Sequence, residues 1–321
     1  MSVARVPSLQ IAHSSYARIT DELIALLNAG VVPWRRPWTT QGPRNLISRR
    51  PYRGINVLVL ACQGRPSPWW LTYRQAVTLG GGVRQGEHGT QVVFWRVIEP
   101  PETAPDTAPA PRRVVLRTYT VFHESQCDLP AAAAPTDDTH ALPPIHTCEQ
   151  VIDGLTDPPH IVTGSDVACY LPVTDTIHIP RRGDFASPEA YYATLFHELA
   201  HATGHPRRLN RSGLTTPAPF GSPDYSHEEL VAEMTSAFVC GATGIAPATL
   251  PGSAEYIGGW LRALRAESRL VVVAAGQAQR AADLLLGAAA APHDETPGPR
   301  NIPRGSAAHR PAPHRPFKPV M

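Results

Sequence analysis

Residues 196–209 read FHELAHATGHPRRL, and the HELAH at 197–201 sets two histidines four apart with a glutamate directly after the first. The flanks describe a helix. Ser187 can cap it, Pro188 suits its first position and Glu189 favours the positive end of its dipole. Gly204, with Pro206 beyond, is the expected stop. A helix over 187–203 puts His197 and His201 on one face, one turn apart, within reach of a single tetrahedral ion. Glu198 is then placed to take a proton from water at that ion and pass it to a leaving amine. This is the H-E-x-x-H pattern of zinc peptidases, and it sets the second half around a metal-binding helix.

Such a site needs a third protein ligand. The metzincin pattern requires histidine at position 207, where this chain has Arg207, and His205 stands at the wrong offset. The stretch YSHEELVAEMTSAF (225–238) offers a second helix instead, predicted over 227–243. Its Glu229 and Glu233 share a face at i, i+4, the gluzincin arrangement in which the first acid binds metal and the second holds a ligand histidine. Ser226 to Glu229 also spells a capping box, which would occupy Glu229 with backbone. Glu229 is therefore the expected ligand, with Glu228 and Glu233 as alternatives. Tyr225 and His227 are near enough in sequence to polarise a scissile carbonyl. Two imidazoles and a carboxylate suit Zn²⁺ by default, and Mn²⁺ or Co²⁺ also fit.

The 321-residue chain is long enough for two domains with cores of their own. Its 35 prolines point to linkers and tails. Net charge is only +2, but residues 1–98 carry 12 arginines against Asp21, Glu22 and Glu87. The five cysteines are scattered and odd in number, which suits reduced thiols in a cytoplasmic protein. No apolar run reaches the ~18 residues of a membrane span, and no signal peptide is evident.

The arginines of the first half alternate with aromatics. VPWRRPW brings Trp34, Arg35, Arg36 and Trp38; RRPYRGIN brings Arg49, Arg50, Tyr52, Arg53 and Asn56. PSPWWLTYRQA adds Trp70, Tyr73 and Arg74, and the GGGVRQGEHG segment adds Arg84. Exposed rings that stack bases and guanidinium groups that follow phosphates are what single-stranded nucleic acid requires, whereas no basic helix for a duplex groove is evident. Around these motifs the pattern predicts a helix at 14–29, an apolar run at 56–62 readable as strand or buried helix, a short helix in LTYRQAVTLGG, and strands at 92–98 and 114–122. The second half reads as strands around GSDVACYLPVTDTIHIP, then helices including a long stretch at 254–287. The expected organisation is α+β: an N-terminal domain at 1–127, a linker at 128–146, the zincin-like domain at 147–287 and a disordered, weakly basic tail at 288–321.

The order of motifs (VPWRRPW, RPYRGIN, WLTYRQAVTLGG, VRQGEHGTQVVFW, YTVF, YYATLFHELAHATGHPRRLNR, EELVAE) resembles the ArdC-type antirestriction proteins of plasmids and phages. The N-terminal part is also similar to the start of certain conjugative plasmid primases. The resemblance implies a single-stranded-DNA-binding domain joined to a zincin-like metallopeptidase domain, and a role in shielding incoming DNA from host restriction. It further implies that any protein cleaved would lie near that strand. Where the family often has lysine in the VRQGEHG segment, this chain has Gln85 beside Arg84.

Overall fold

In the N-terminal half, a long antiparallel ribbon supplies the frame. The computed structural model describes residues 7–29, 31–35, 42–98, 113–130, 144–211, 223–245 and 253–288. Strands β4 (Thr90–Ile98) and β5 (Arg113–His123) pair from Thr90↔Val121 to Ile98↔Arg113. β2 (Trp69–Thr72) adds antiparallel to β5, and β1 (Arg44–Asn45) adds parallel to β2. Side chains alternate across β4 as the strand period requires. Val93 and Trp95 join the main core, while Val92 and Phe94 face a smaller cluster with Tyr52, Leu60, Trp70 and Val121. A two-stranded ribbon of β3 (Gly82–Val83) and β6 (Cys127–Asp128) completes this half.

Helix α1 runs Pro7–Asn28, a longer element than the sequence predicts. The ambiguous NVLVLAC run is helical, as α2 (Ile55–Ala61). Five apolar residues from Ile55 to Leu60 are all buried, so this helix is enclosed on every side. Its one buried polar residue, Asn56, is matched to β4: its amide donates to the Val93 carbonyl (2.7 Å) and accepts from the Val93 N–H (2.8 Å). In LTYRQAVTLGG the first residues complete β2. Thr72 and Gln75 then form a capping box that starts α3 (Tyr73–Thr78).

The second half begins with α4 (Pro144–Asp153), which starts inside the stretch expected as linker. A three-stranded sheet follows, ordered β7 (His160–Thr163), β9 (Thr176–Ile179), β8 (Cys169–Leu171), with β7 parallel and β8 antiparallel to β9. Against it lies α5 (Pro188–Ala202), which begins as expected, with the Ser187 hydroxyl accepting from the Ala190 N–H. α6 runs Pro223–Thr243. The long C-terminal stretch is two helices, α7 (Ser253–Ala266) and α8 (Leu270–Leu285). The break frees the Ser268 carbonyl to accept from Thr20 of α1 (2.7 Å). Residues 99–112, 131–143 and 289–321, which include most of the expected linker and tail, lie outside the described residues.

One apolar cluster runs through both halves. It joins Leu23 and Leu27 of α1, Trp34, Leu58 of α2, Phe196 and Leu199 of α5, Met234 of α6 and Ala274, Ala275 and Ala278 of α8. Small residues let the helices approach closely, and the Ser236 hydroxyl of α6 donates to the Ala193 carbonyl of α5 (3.0 Å). Polar contacts reinforce the junction. Arg53 pairs with Asp283 of α8, and the Gly54 N–H donates to Gln279 Oε1 at 2.9 Å. Gly54 itself has φ +56°, which suits glycine at this helix start.

Trp34 is 0% exposed and meets Trp260 edge-on with centroids 5.1 Å apart. Truncating a buried Trp leaves a cavity, so Trp34→Ala should lower the unfolding free energy by about 3–5 kcal/mol. A denaturant melt unchanged by the substitution would place the indole outside the core. The turn before β9 yields a second expectation. Asp175 accepts from Arg207 (2.9 Å) and Tyr170 (2.8 Å) and pairs with Arg208. Burial works to raise the Asp175 pKa, but the bonds from Arg208 and Tyr170 outweigh it and hold the carboxyl below the usual aspartate value. That stabilisation is complete above the unfolded value near 4 and is lost as pH falls through the lower folded value. Asp175→Asn, which tolerates the positive φ here, should cost about 1–3 kcal/mol at neutral pH. The gap between the two melting curves should close on acidification below about pH 4.

Candidate metal centre

The HELAH residues lie on the buried side of α5, opposite α6. His197 Nε2 and His201 Nε2 face each other at 3.2 Å. Glu229 of α6 turns its carboxylate to both, with Oε2 3.7 Å from His197 Nε2 and Oε1 3.6 Å from His201 Nε2. One donor atom from each of the three residues falls within a 4.8 Å group. α6 starts at Pro223, three residues before the expected cap, so Glu229 stands in the second turn. The capping-box alternative therefore does not apply to it, since orphan N–H groups belong to the first turn.

Glu228 has a different place. Its Oε1 is 3.3 Å from His201 Nδ1. A carboxylate only accepts, so Nδ1 donates to it, and Nε2 is the nitrogen turned toward the site. The role expected of Glu233, holding a ligand histidine, is thus taken at His201 by Glu228, whose two oxygens are also bonded by Arg211. Among the described residues, the donor atoms that lie within 4.8 Å of one another come from His197, His201 and Glu229. Glu233 is buried one turn beyond Glu229.

The electrostatics favour a cation. Burial alone would lower the His201 pKa, but the Glu229 charge and the Glu228 hydrogen bond overcome it and push it up to about 9. The carboxylates around His201 thus favour positive charge at this place, and a divalent ion suits a set of two imidazoles and a carboxylate. Burial also raises the Glu198 carboxyl; the His201 charge opposes this and the Glu229 charge adds to it. The backbone of Tyr170 on β8 hydrogen-bonds that carboxylate. A glutamate so raised is better matched to proton transfer near neutrality than an exposed one.

His227 is engaged with α8, its Nε2 2.8 Å from Gln277 Oε1. Tyr225 lies on α6, and its side chain is outside the described residues. Arg207, at the metzincin position, faces away to pair with Asp157 (3.1 Å) and Asp175. The residue that sequence reasoning missed is Arg211, buried beneath Glu228. Nothing local marks it, because its partner lies 17 positions along.

The aromatic-arginine front divides. Trp34, Tyr52, Asn56 and Trp70 are buried, a correction to their expected place on a binding face. Trp34 and Trp70 fill cores, Asn56 is spent on β4, and burial pushes the Tyr52 phenol up to about 12. Arg53 is likewise drawn to Asp283. Arg84 is exposed, but ion-paired with Glu87 (3.2 Å) and Asp128 (3.7 Å). Tyr73 is 58% exposed, and Arg74, Arg49 and Arg50 are exposed beside it. The turn that carries Arg49 and Arg50 is tied to α3 through Asn45 and Gln75 (3.1 Å). Arg49 lays its guanidinium 4.9 Å over the Trp69 ring. Arg36, Trp38 and the side chain of Arg35 lie outside the described residues.

Residues 13–122 match the N-terminal domain of the anti-restriction factor ArdC, and residues 151–277 match a zincin-like metallopeptidase family. The antirestriction ArdC protein from plasmid R388 is 39% identical. Its metal-free crystal structure superposes with a TM-score of 0.68 over 84% of this chain and 96% of that one. Its Mn(II)-bound form gives 0.66. The protein y4eC of Sinorhizobium fredii is 35% identical across 88% of this chain and 94% of its own length. Two Escherichia coli DNA primases TraC are 35% and 36% identical over 84% of this chain, which spans only 27% and 19% of theirs. Among the described residues no helix is long and apolar enough to cross a membrane. With an ArdC-type N-terminal segment, a zincin-like segment behind it and a solved relative matched through both, the chain belongs to the ArdC family of antirestriction proteins.

Proposed function

We propose that this chain binds single-stranded DNA through its N-terminal half and protects incoming plasmid or phage DNA from host restriction. In this reading its rear half is a metal-dependent peptidase acting on protein near the strand. The observation that carries the peptidase reading is the convergence of His197, His201 and Glu229 with Glu198 buried beside them. A divalent ion held there, Zn²⁺ by default and Mn²⁺ in keeping with the R388 relative, would supply Lewis acidity toward water and a peptide carbonyl. Glu198 receives the proton and delivers it to the departing amine. Glu228 accepts from His201 Nδ1 and so turns Nε2 inward. β8, one of the two edge strands of its sheet among the described residues, offers backbone beside Glu198 on which an extended peptide can lie. Tyr225 and Glu233 are assigned to the surroundings of this centre.

A purely structural ion would leave the buried Glu198 unexplained, since burying a carboxylate is costly without a use. Glu198→Gln should keep metal content and melting temperature while lowering hydrolysis by at least about 100-fold. Unmodified plasmid transferred into a restricting recipient tells whether hydrolysis serves protection. Survival equal to wild type with Glu198→Gln would place the antirestriction effect in the DNA-binding half alone.

For that half, the exposed face of Tyr73, Arg74, Arg49 and Arg50 is the assigned contact surface. Tyr73→Ala should weaken binding to a single-stranded oligonucleotide by about 1–3 kcal/mol without changing the melting temperature. Arg74→Ala should flatten the dependence of affinity on salt by about one phosphate contact. Fluorescence anisotropy across a salt series reads both. Duplex affinity equal to single-strand affinity would sink the assignment.

A further inference from the structure

We propose that Arg211 is a positioning residue of the metal centre: it fixes the Glu228 carboxylate that holds His201 Nδ1–H, and thereby aims His201 Nε2 at the ion. The proposal rests on the reading of His197, His201 and Glu229 as a metal site. Arg211 sits in the segment that leaves α5, is 7% exposed, and donates in three directions. Nε reaches Glu228 Oε2 at 3.0 Å and Nη2 reaches Glu228 Oε1 at 2.6 Å. Nη2 also reaches the Ala200 carbonyl at 2.7 Å, and Nη1 reaches Thr203 Oγ1 at 2.6 Å. The guanidinium therefore grips the two ends of one device: the last turn of the histidine helix and the carboxylate from α6 that orients its second histidine.

The backbone is arranged to bring it there. After α5 the chain loops back, with Leu209 N–H on the Thr203 carbonyl (2.9 Å) and Arg211 N–H on the Gly204 carbonyl (3.0 Å). Asn210 takes a left-handed φ of +47° to complete the return. Gly204, expected only as a helix stop, has no positive φ; its lack of a side chain serves the arginine instead. A Cβ at Gly204 would lie 2.9 Å from Arg211 Nη2 and 3.0 Å from Cζ. A guanidinium held by four bonds has little freedom to give way.

A lock on the helix end and an orienting role for His201 make different predictions, because the contacts separate. Thr203 and Ala200 belong to the lock, and Glu228 belongs to the histidine. Loss of a carboxylate or its support behind a metal-bound histidine typically weakens metal binding 10–100-fold. The experiment measures Zn²⁺ affinity of the full chain by competition with a chromophoric chelator, alongside melting temperature. Arg211→Gln and Glu228→Gln should each weaken Zn²⁺ binding by about 10–100-fold. The double variant should be no weaker than the worse single one, since the two residues act in series. Arg211→Lys should restore only part of the affinity, because an ammonium cannot copy the fork. Thr203→Val should lower the melting temperature and leave Zn²⁺ affinity unchanged. Wild-type affinity in a folded Arg211→Gln, or additive losses in the double variant, would overturn the proposal. Glu228→Gln keeps the side-chain shape and an oxygen for the guanidinium, so wild-type affinity in a folded Glu228→Gln overturns it even where the Arg211 variants fail to fold. A wild-type chain that takes up no Zn²⁺ sinks the metal-site reading itself, a result distinct from all of these.

Discussion

His197, Glu198, His201, Glu228, Glu229 and Arg211 are set inside the packing of α5 and α6, and stripping water from that much charge costs several kcal/mol per ion unless each group meets a partner. The surrounding structure follows from this constraint. α6 has to present two adjacent glutamates at the height of two histidines, one aimed at each job. α5 has to stop where its exit segment can fold back and deliver a guanidinium. The apolar flanks of both helices then hold the set in register, with Leu199, Leu230 and Met234 all buried. With His201 and Arg211 bonded to it, Glu228 overcomes the burial that would raise its pKa and stays charged, at about 2. The inward-facing nitrogens of His197 and His201 and the Glu229 oxygens form the donor set for an ion.

How much of this could be read beforehand depended on how local each cause was. The α5 helix was legible because cap, period and stop all lie within 18 residues, 187–204. The same holds for the two long strands, whose β-branched runs declare themselves. The short apolar run at 56–62 could not be resolved by pattern, since enclosed helices and enclosed strands look alike in sequence. The choice among Glu228, Glu229 and Glu233 turned on where α6 begins. Moving that start from Ser226 to Pro223 frees Glu229 from backbone duty, and only three-dimensional structure shows which carboxylate meets which face.

In the front half, composition registered that arginine and tryptophan were abundant but not which way they point. Trp70 and Tyr73 are three residues apart, one in a core and one at the surface, because a strand ends and a capped helix starts between them. Arg53 resembled its neighbours Arg49 and Arg50 until Asp283, 230 positions away, came into view. Long-range partners of this kind leave no trace in a short window.

The apolar cluster that runs from Trp34 and α2 into α5 and α8 has a mechanical meaning. Side-chain packing, and not the connection at 131–143, sets the separation between Tyr73 and the HELAH helix. Lengthening that connection would leave the spacing as it is, whereas cutting the chain there would strip apolar surface from both pieces. A macromolecule that touches both halves therefore meets them at a constant offset, as work is held in a jig.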